Sequence, residues 1–190
     1  EVLDAIIKAN DGDSTPYGND QISTELQDKF SEIFEKEVIV FPTASGTAAN
    51  ALALSTMTPS FGNIYCHKLS HINTDECGAP EFYTGGGKLV TLQGINGKIT
   101  AKELDEAIGG KGIVHHTQPS SVSITQVCET GEVYQIDEIK KISDVAHKHN
   151  LNMHMDGARF ANALVSLDVT PAEMTWKSGI DVLSFGATKN

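Results

Sequence analysis

A rhythm of short apolar runs and helix-period stretches constrains this chain more than any other feature. EVIVF, NIYC, KLVTL, VSITQ, LNMHM and DVLSF are β-branched or apolar runs, most of them separated by segments of helical spacing such as TAANALALSTM, AKELDEAI and IDEIKKISDVAHKHN. That alternation predicts an α/β fold, a three-layer αβα arrangement with a mostly parallel sheet and helices on its faces. Two helix starts agree with it. Thr100 with Glu103 and Thr170 with Glu173 have capping-box spacing, and Pro171 stands at the first helical position of the second. Ahead of the alternation, Leu3, Ile6 and Ile7, then Ile22, Leu26, Phe30 and Ile33, predict two helices separated by the turn-rich DGDSTPYGND. The expected organisation is therefore a helical segment over residues 1–35, followed by a sheet-containing part over 36–190.

Composition narrows the function classes. A formal net charge of -11, with no local run of Lys or Arg, argues against nucleic acid and against anionic membrane surfaces. No apolar run approaches the roughly 20 residues of a membrane span. Cys66, Cys77 and Cys128 are an odd number at wide spacing with no CxxC pair, a pattern that fits a reducing, cytoplasmic setting better than a disulfide framework. The chain opens on Glu1 rather than Met, which leaves an upstream segment open. Histidine spacing gives no metal site: His147 and His149 do not share a helix face, His115 and His116 are adjacent, and His67 and His71 lack a third ligand. GGGK at 85–88 lacks the GxGxxG order and precedes a strand, so it reads as a turn.

The chemistry gathers at the end. DVLSF runs through Gly-Ala-Thr to Lys189, and LNMHM, ending in Asp156, lies about one crossover earlier. A right-handed crossover between parallel strands brings their carboxyl ends to one edge, where open α/β sheets bind ligands. Upstream, EVIVF leads through PTASGTAAN into a helix whose free N–H groups can hold a phosphate. A lysine amine, an acid and a phosphate cradle on one edge are the needs of pyridoxal 5'-phosphate.

YGND, ASGTAAN, SHINTDECGA, GGGKLV, HMDGARFANA and SFGATKN, in this order, resemble the low-specificity L-threonine aldolase family, pyridoxal-phosphate enzymes of the aspartate-aminotransferase fold. The resemblance spans nearly the whole chain, and the DGAR and TKN stretches are its most specific part. It implies that Lys189 is the Schiff-base lysine, that Asp156 keeps the ring nitrogen protonated, and that His71 stacks on the ring and acts near the substrate hydroxyl. It further implies that Ser45, Gly46 and Thr47, with Thr188 beside the lysine, hold the phosphate. Arg159, the one arginine of the sequence, would bind the amino-acid carboxylate, and Gln126 would reach the ring hydroxyl. Tyr17, in YGND, would serve a neighbouring subunit's site in a homodimer or homotetramer. The implied reaction is retro-aldol cleavage of L-threonine or L-allo-threonine to glycine and acetaldehyde. Family members begin earlier and continue beyond the lysine into the rest of the large domain and a small C-terminal domain, so the chain looks truncated.

Other readings stand beside these. Lys189 is also what a solvated strand end looks like, Asp156 a helix cap, and Arg159 half of a structural ion pair. Where relatives carry a second histidine after VSITQ, this chain has Val127, Cys128 and Glu129, which leaves the identity of a second base open. Another β-eliminating lyase or aldolase on the same fold, or a non-catalytic structural fragment, are the alternative functions.

Overall fold

Backbone hydrogen bonding decides which of the six apolar runs become strands. The computed structural model describes residues 1–189, and these fall into two units, one of residues 1–42 and one that begins at Thr43. Asn190, the last residue of the SFGATKN stretch, lies outside the described residues.

In the first unit both expected helices form, α1 (Val2–Ala9) and α2 (Gln21–Ile33). Asp20 caps α2, its carboxylate accepting the Ser23 N–H at 2.9 Å and the Ser23 hydroxyl at 2.7 Å. EVIVF, expected as a strand, is irregular backbone. The Gln27 side chain takes both polar groups of Val40, donating to its carbonyl at 2.8 Å and accepting from its N–H at 3.1 Å, and Ser31 Oγ accepts the Val38 N–H. Side chains of α2 thus satisfy the backbone that a neighbouring strand would otherwise pair.

In the second unit the remaining five runs build one parallel sheet: β1 (Gly62–His67), β2 (Lys88–Leu92), β3 (Gln118–Thr125), β4 (Asn152–Gly157) and β5 (Val182–Phe185), in the order β2-β1-β3-β4-β5. Pro119 sits in a central strand because it lies near the start of β3, beside a register shift between Asn63 and Ile64 of β1. The helices are α3 (Gly46–Met57), α4 (His71–Thr74), α5 (Ala79–Tyr83), α6 (Ala101–Ala107), α7 (Ile136–Lys148), α8 (Phe160–Leu167) and α9 (Pro171–Met174), followed by a 3-10 turn at Trp176–Ser178. Thr170 and Glu173 complete the expected capping box. Thr100 caps α6, but Glu103 turns away from it to accept the N–H groups of Gln93 and Gly94.

The direction of α3 follows from two side-chain bonds. Near its start Asn50 bonds Asp156 at the carboxyl end of β4; just past its end Thr58 bonds Ser121, toward the start of β3, at 2.7 Å. The helix therefore runs antiparallel to the strands, with its N-terminus at their carboxyl edge. Below it Leu54, Ile64, Cys66 and Ile72 form a buried cluster, with Met57 and Leu89 against it. Elsewhere α7 buries Ile139, Ile142 and Ala146 and packs on β4 and α6. No helix among the described residues is long and apolar enough to cross a membrane.

His154 is the polar group most deeply committed to this core. It is fully buried, with Nδ1 against Ser123 Oγ and Nε2 against Ser184 Oγ, both at 2.9 Å. Burial pushes its pKa from the ordinary 6.5 down to about 4, opposed by the charge of Asp156. Between those values the unfolded chain holds a proton that the folded chain does not, so stability from this residue is present above pH 6.5 and is lost as pH falls toward 4. The effect is on the order of 3 kcal/mol at most. Denaturant unfolding across this range should show a smaller loss of stability with acid for His154→Gln than for the parent protein; equal slopes would show that His154 does not carry the effect.

Candidate active site at the carboxyl edge

Parallel register sets the site's outline. Thr125, Asp156 and Ser184 are register partners across β3, β4 and β5, and Gly157 pairs with Phe185. Beyond Phe185 the Gly186 N–H donates to the Gly157 carbonyl at 3.0 Å, so the chain leaving β5 stays against the end of β4. Only glycine fits there: a Cβ on Gly186 would stand 2.7 Å from the Ala158 Cα and 2.8 Å from its carbonyl oxygen. Thr188 and Lys189 follow directly, both exposed, on the edge that holds Asp156.

Asp156 is 4% exposed. One carboxylate oxygen accepts the Ala158 N–H at 3.0 Å and the other accepts Asn50 Nδ2 at 3.0 Å. Among the described residues it has no cationic partner. The helix-cap reading gives way to a buried carboxyl group held by two neutral donors at the mouth of the sheet.

His71, the first residue of α4, stands over the same edge. Its Nδ1 lies 2.9 Å from Glu76 Oε1, and Glu76 Oε1 also accepts Asn50 Nδ2 at 2.7 Å. Burial raises the Glu76 pKa, against the lowering pull of its bonds to His71 and Asn50. Asn50 and Glu76 thereby join His71 to Asp156, and neither stands out among the sequence's candidates. A polar residue inside the apolar helix TAANALALSTM was the available signal for Asn50; Glu76, in a loop with Asp75, had none. His67 is structural, with Nε2 against the Gln93 carbonyl and Nδ1 accepting the Leu69 N–H.

Ser45 caps α3 by accepting the Ala48 N–H at 3.2 Å. Gly46 and Thr47 open the helix, and nothing lies within 4 Å of where a Cβ on Gly46 would be. Ser45 is five residues before Asn50, about 7.5 Å farther along the axis. An open helix N-terminus and a buried anion thus flank the edge, and they suit a group with an anion at one end and a protonated aromatic nitrogen at the other.

Gln126 does not belong to this set. It is fully buried, donating to the Tyr134 carbonyl and accepting the Tyr134 N–H, both at 3.0 Å, so its amide is spent on backbone and cannot meet a ring hydroxyl. Arg159 lies just after β4, its Nη1 4.0 Å from Glu129 Oε1; that nitrogen is buried with no hydrogen bond among the described residues. The long ion pair leaves the guanidinium with donors to spare. Tyr17 belongs to the first unit and is 97% exposed. A separate cleft of about 520 Å³, lined by Tyr65, Lys88, Val90 and His116 among others, lies along β1 and β2 away from these groups.

All of residues 1–190 match the family described as beta-eliminating lyase. The chain is 47% identical to a low specificity L-threonine aldolase of a Pseudomonas species and 43% identical to that of Pseudomonas aeruginosa, in each case over its whole length and 55% of the relative's. It thus spans about half the length of the curated relatives it matches. Among solved structures, a threonine aldolase of Leishmania major superposes with a TM-score of 0.84 at 29% identity, covering 91% of this chain and 51% of the other. Cystalysin from Treponema denticola, whose structure contains pyridoxal 5'-phosphate, superposes at 0.58 with 15% identity over 84% of this chain and 40% of the other, a likeness of fold alone.

The glycines give a direct check of this geometry. Gly186→Ala forces backbone against backbone and should cost about 1–3 kcal/mol of stability, whereas Gly46→Ala, in open space at a helix start, should leave stability nearly unchanged. Equal unfolding midpoints for the Gly186→Ala and parent proteins would mean that the turn before Lys189 does not lie against Ala158.

Proposed function

Because this chain belongs to the beta-eliminating lyase family, we propose that the protein carrying it is a pyridoxal-phosphate-dependent aldolase cleaving L-threonine or L-allo-threonine to glycine and acetaldehyde. The observation that carries the reading is the carboxylate of Asp156, buried and without a cationic partner among the described residues, on the edge to which the Gly186 turn delivers Lys189. When bound, pyridoxal phosphate supplies a cationic ring that takes up the electron pair released as the Cα–Cβ bond breaks.

The chain's own residues do the rest. Asp156 accepts the ring N–H and keeps that nitrogen protonated. Ser45, Gly46 and Thr47, in the first turn of α3, hold the phosphate, with Thr188 beside them. Lys189 anchors the aldehyde carbon. Arg159 takes the substrate carboxylate in a bidentate grip and so fixes the angle of the breaking bond. His71 is the base for the β-hydroxyl proton, which it accepts at Nε2, the nitrogen turned away from Glu76. A cytoplasmic setting, suited to free cysteines, and a role in forming glycine belong to the same reading.

The test uses the full-length protein with pyridoxal phosphate. Borohydride reduction should fix a pyridoxyl group on Lys189 in both the parent and Arg159→Lys, as read by peptide mass. Arg159→Lys keeps the charge but loses the fork, so kcat/KM for L-threonine should fall by roughly tenfold to over a hundredfold, corresponding to about 1.5–3 kcal/mol. Label on another lysine, or a parent protein that labels yet cleaves no β-hydroxy amino acid, contradicts the reading.

The reading extends to a homodimer or homotetramer in which Tyr17 reaches a neighbouring copy's site; its near-complete exposure suits that task. Tyr17→Phe should lower activity, and hybrids of Tyr17→Phe with Lys189→Ala subunits should recover part of it. Hybrids that assemble but recover none argue that Tyr17 acts within its own subunit.

A further inference from the structure

We propose that Glu76 and Asn50 are positioning residues for His71: Glu76 holds its imidazole in the tautomer protonated at Nδ1, and Asn50 locks Glu76 in place against Asp156. The tautomer follows from the hydrogen bonds made to an ionised Glu76; its bearing on the reaction rests on the role given to His71 above.

Glu76 Oε1 faces two nitrogens, Asn50 Nδ2 at 2.7 Å and His71 Nδ1 at 2.9 Å. A carboxylate oxygen only accepts, so both nitrogens must donate to it. The imidazole proton therefore sits on Nδ1, and in the neutral ring Nε2 keeps its lone pair. Burial raises the Glu76 pKa, and a proton placed on Oε1 would donate to His71 Nδ1 and reverse this bond. The assignment is that of the ionised Glu76, whose Oε1 accepts from both nitrogens while Oε2 has no partner among the described residues.

Asn50 fixes the other end. Its Nδ2 spans two carboxylates, 2.7 Å from Glu76 and 3.0 Å from Asp156, and the reversed amide would set its oxygen against both. Its own Oδ1 is left buried without a partner among the described residues. The helix thus accepts an unsatisfied oxygen while both amide hydrogens go to the two acids. The Glu76 side chain is fully buried and the His71 side chain 31% exposed, so the ring is gripped at Nδ1 by a buried partner while part of it remains exposed.

The test reads the tautomer directly, by long-range proton–nitrogen NMR correlation on the full-length protein with 15N-labelled histidine, His71 being assigned from the signal lost in His71→Asn. The parent protein should show His71 protonated at Nδ1. Glu76→Gln retains a carbonyl acceptor at the same place and should keep that tautomer. Glu76→Leu, similar in shape but without an acceptor, should shift the ring to the Nε2–H form that free imidazole side chains prefer.

With cofactor bound, Glu76→Leu should lower kcat by about 10²- to 10⁴-fold, as for loss of a positioned base, with cofactor affinity little changed, while Glu76→Gln keeps most of kcat. An Nε2–H ring in the parent, or an Nδ1–H ring persisting in Glu76→Leu, overturns the assignment. A flipped tautomer with unchanged kcat overturns the positioning role. A parent protein showing the expected tautomer without any aldolase activity would sink the aldolase reading and leave the assignment standing.

Discussion

The structure turns on one buried carboxyl group that has no cationic partner among the described residues. Burying a carboxylate without a cation costs several kcal/mol, and among the described residues Asp156 is held by two neutral donors, the Ala158 N–H and the Asn50 amide. Each donor comes from a different place, the turn after β4 and the first half of α3, so holding the acid also fixes how α3 lies over the sheet. His154, two residues earlier on the same strand, stays neutral between two serine hydroxyls and adds no balancing charge. The fold leaves a negative point at the strand ends that a ligand's positive group can complete.

Parallel topology makes that point useful. With all five strands running one way, everything that follows a strand arrives on the same edge: α4 with His71 after β1, Asp156 and Arg159 at β4, and the Gly186 turn after β5. The helix packed over Asp156 runs the opposite way, so its free N–H groups point to that edge too. The helix N-terminus and the Asp156 carboxyl therefore lie apart on that edge, with a lysine following the turn, an arrangement set by topology before any side chain is chosen.

Much of this was legible in the sequence, and the exceptions have physical causes. KLVTL and LNMHM read as strands because their β-branched and apolar residues find strand neighbours. EVIVF has the same composition but meets Gln27 rather than a strand, and hydrophobicity alone does not say which backbone groups will be paired. Asp156 and Lys189 could be placed on one edge because a crossover fixes which ends meet. Gln126 misled because the end of a strand locates a backbone, whereas its side chain was claimed by Tyr134, eight residues on. Asn50 and Glu76 act through contacts with Asp156 and His71 that join different segments, and no local spacing announces such contacts.

We propose that Asp156 serves to hold a protonated ring nitrogen. The most direct measurement is the 15N chemical shift of ring-labelled pyridoxal phosphate bound to the full-length protein, compared with the same cofactor bound to Asp156→Asn. The parent should show a pyridinium-type shift and the variant a pyridine-type shift; a pyridine-type nitrogen in the parent, or the same shift in both, would contradict this role of Asp156.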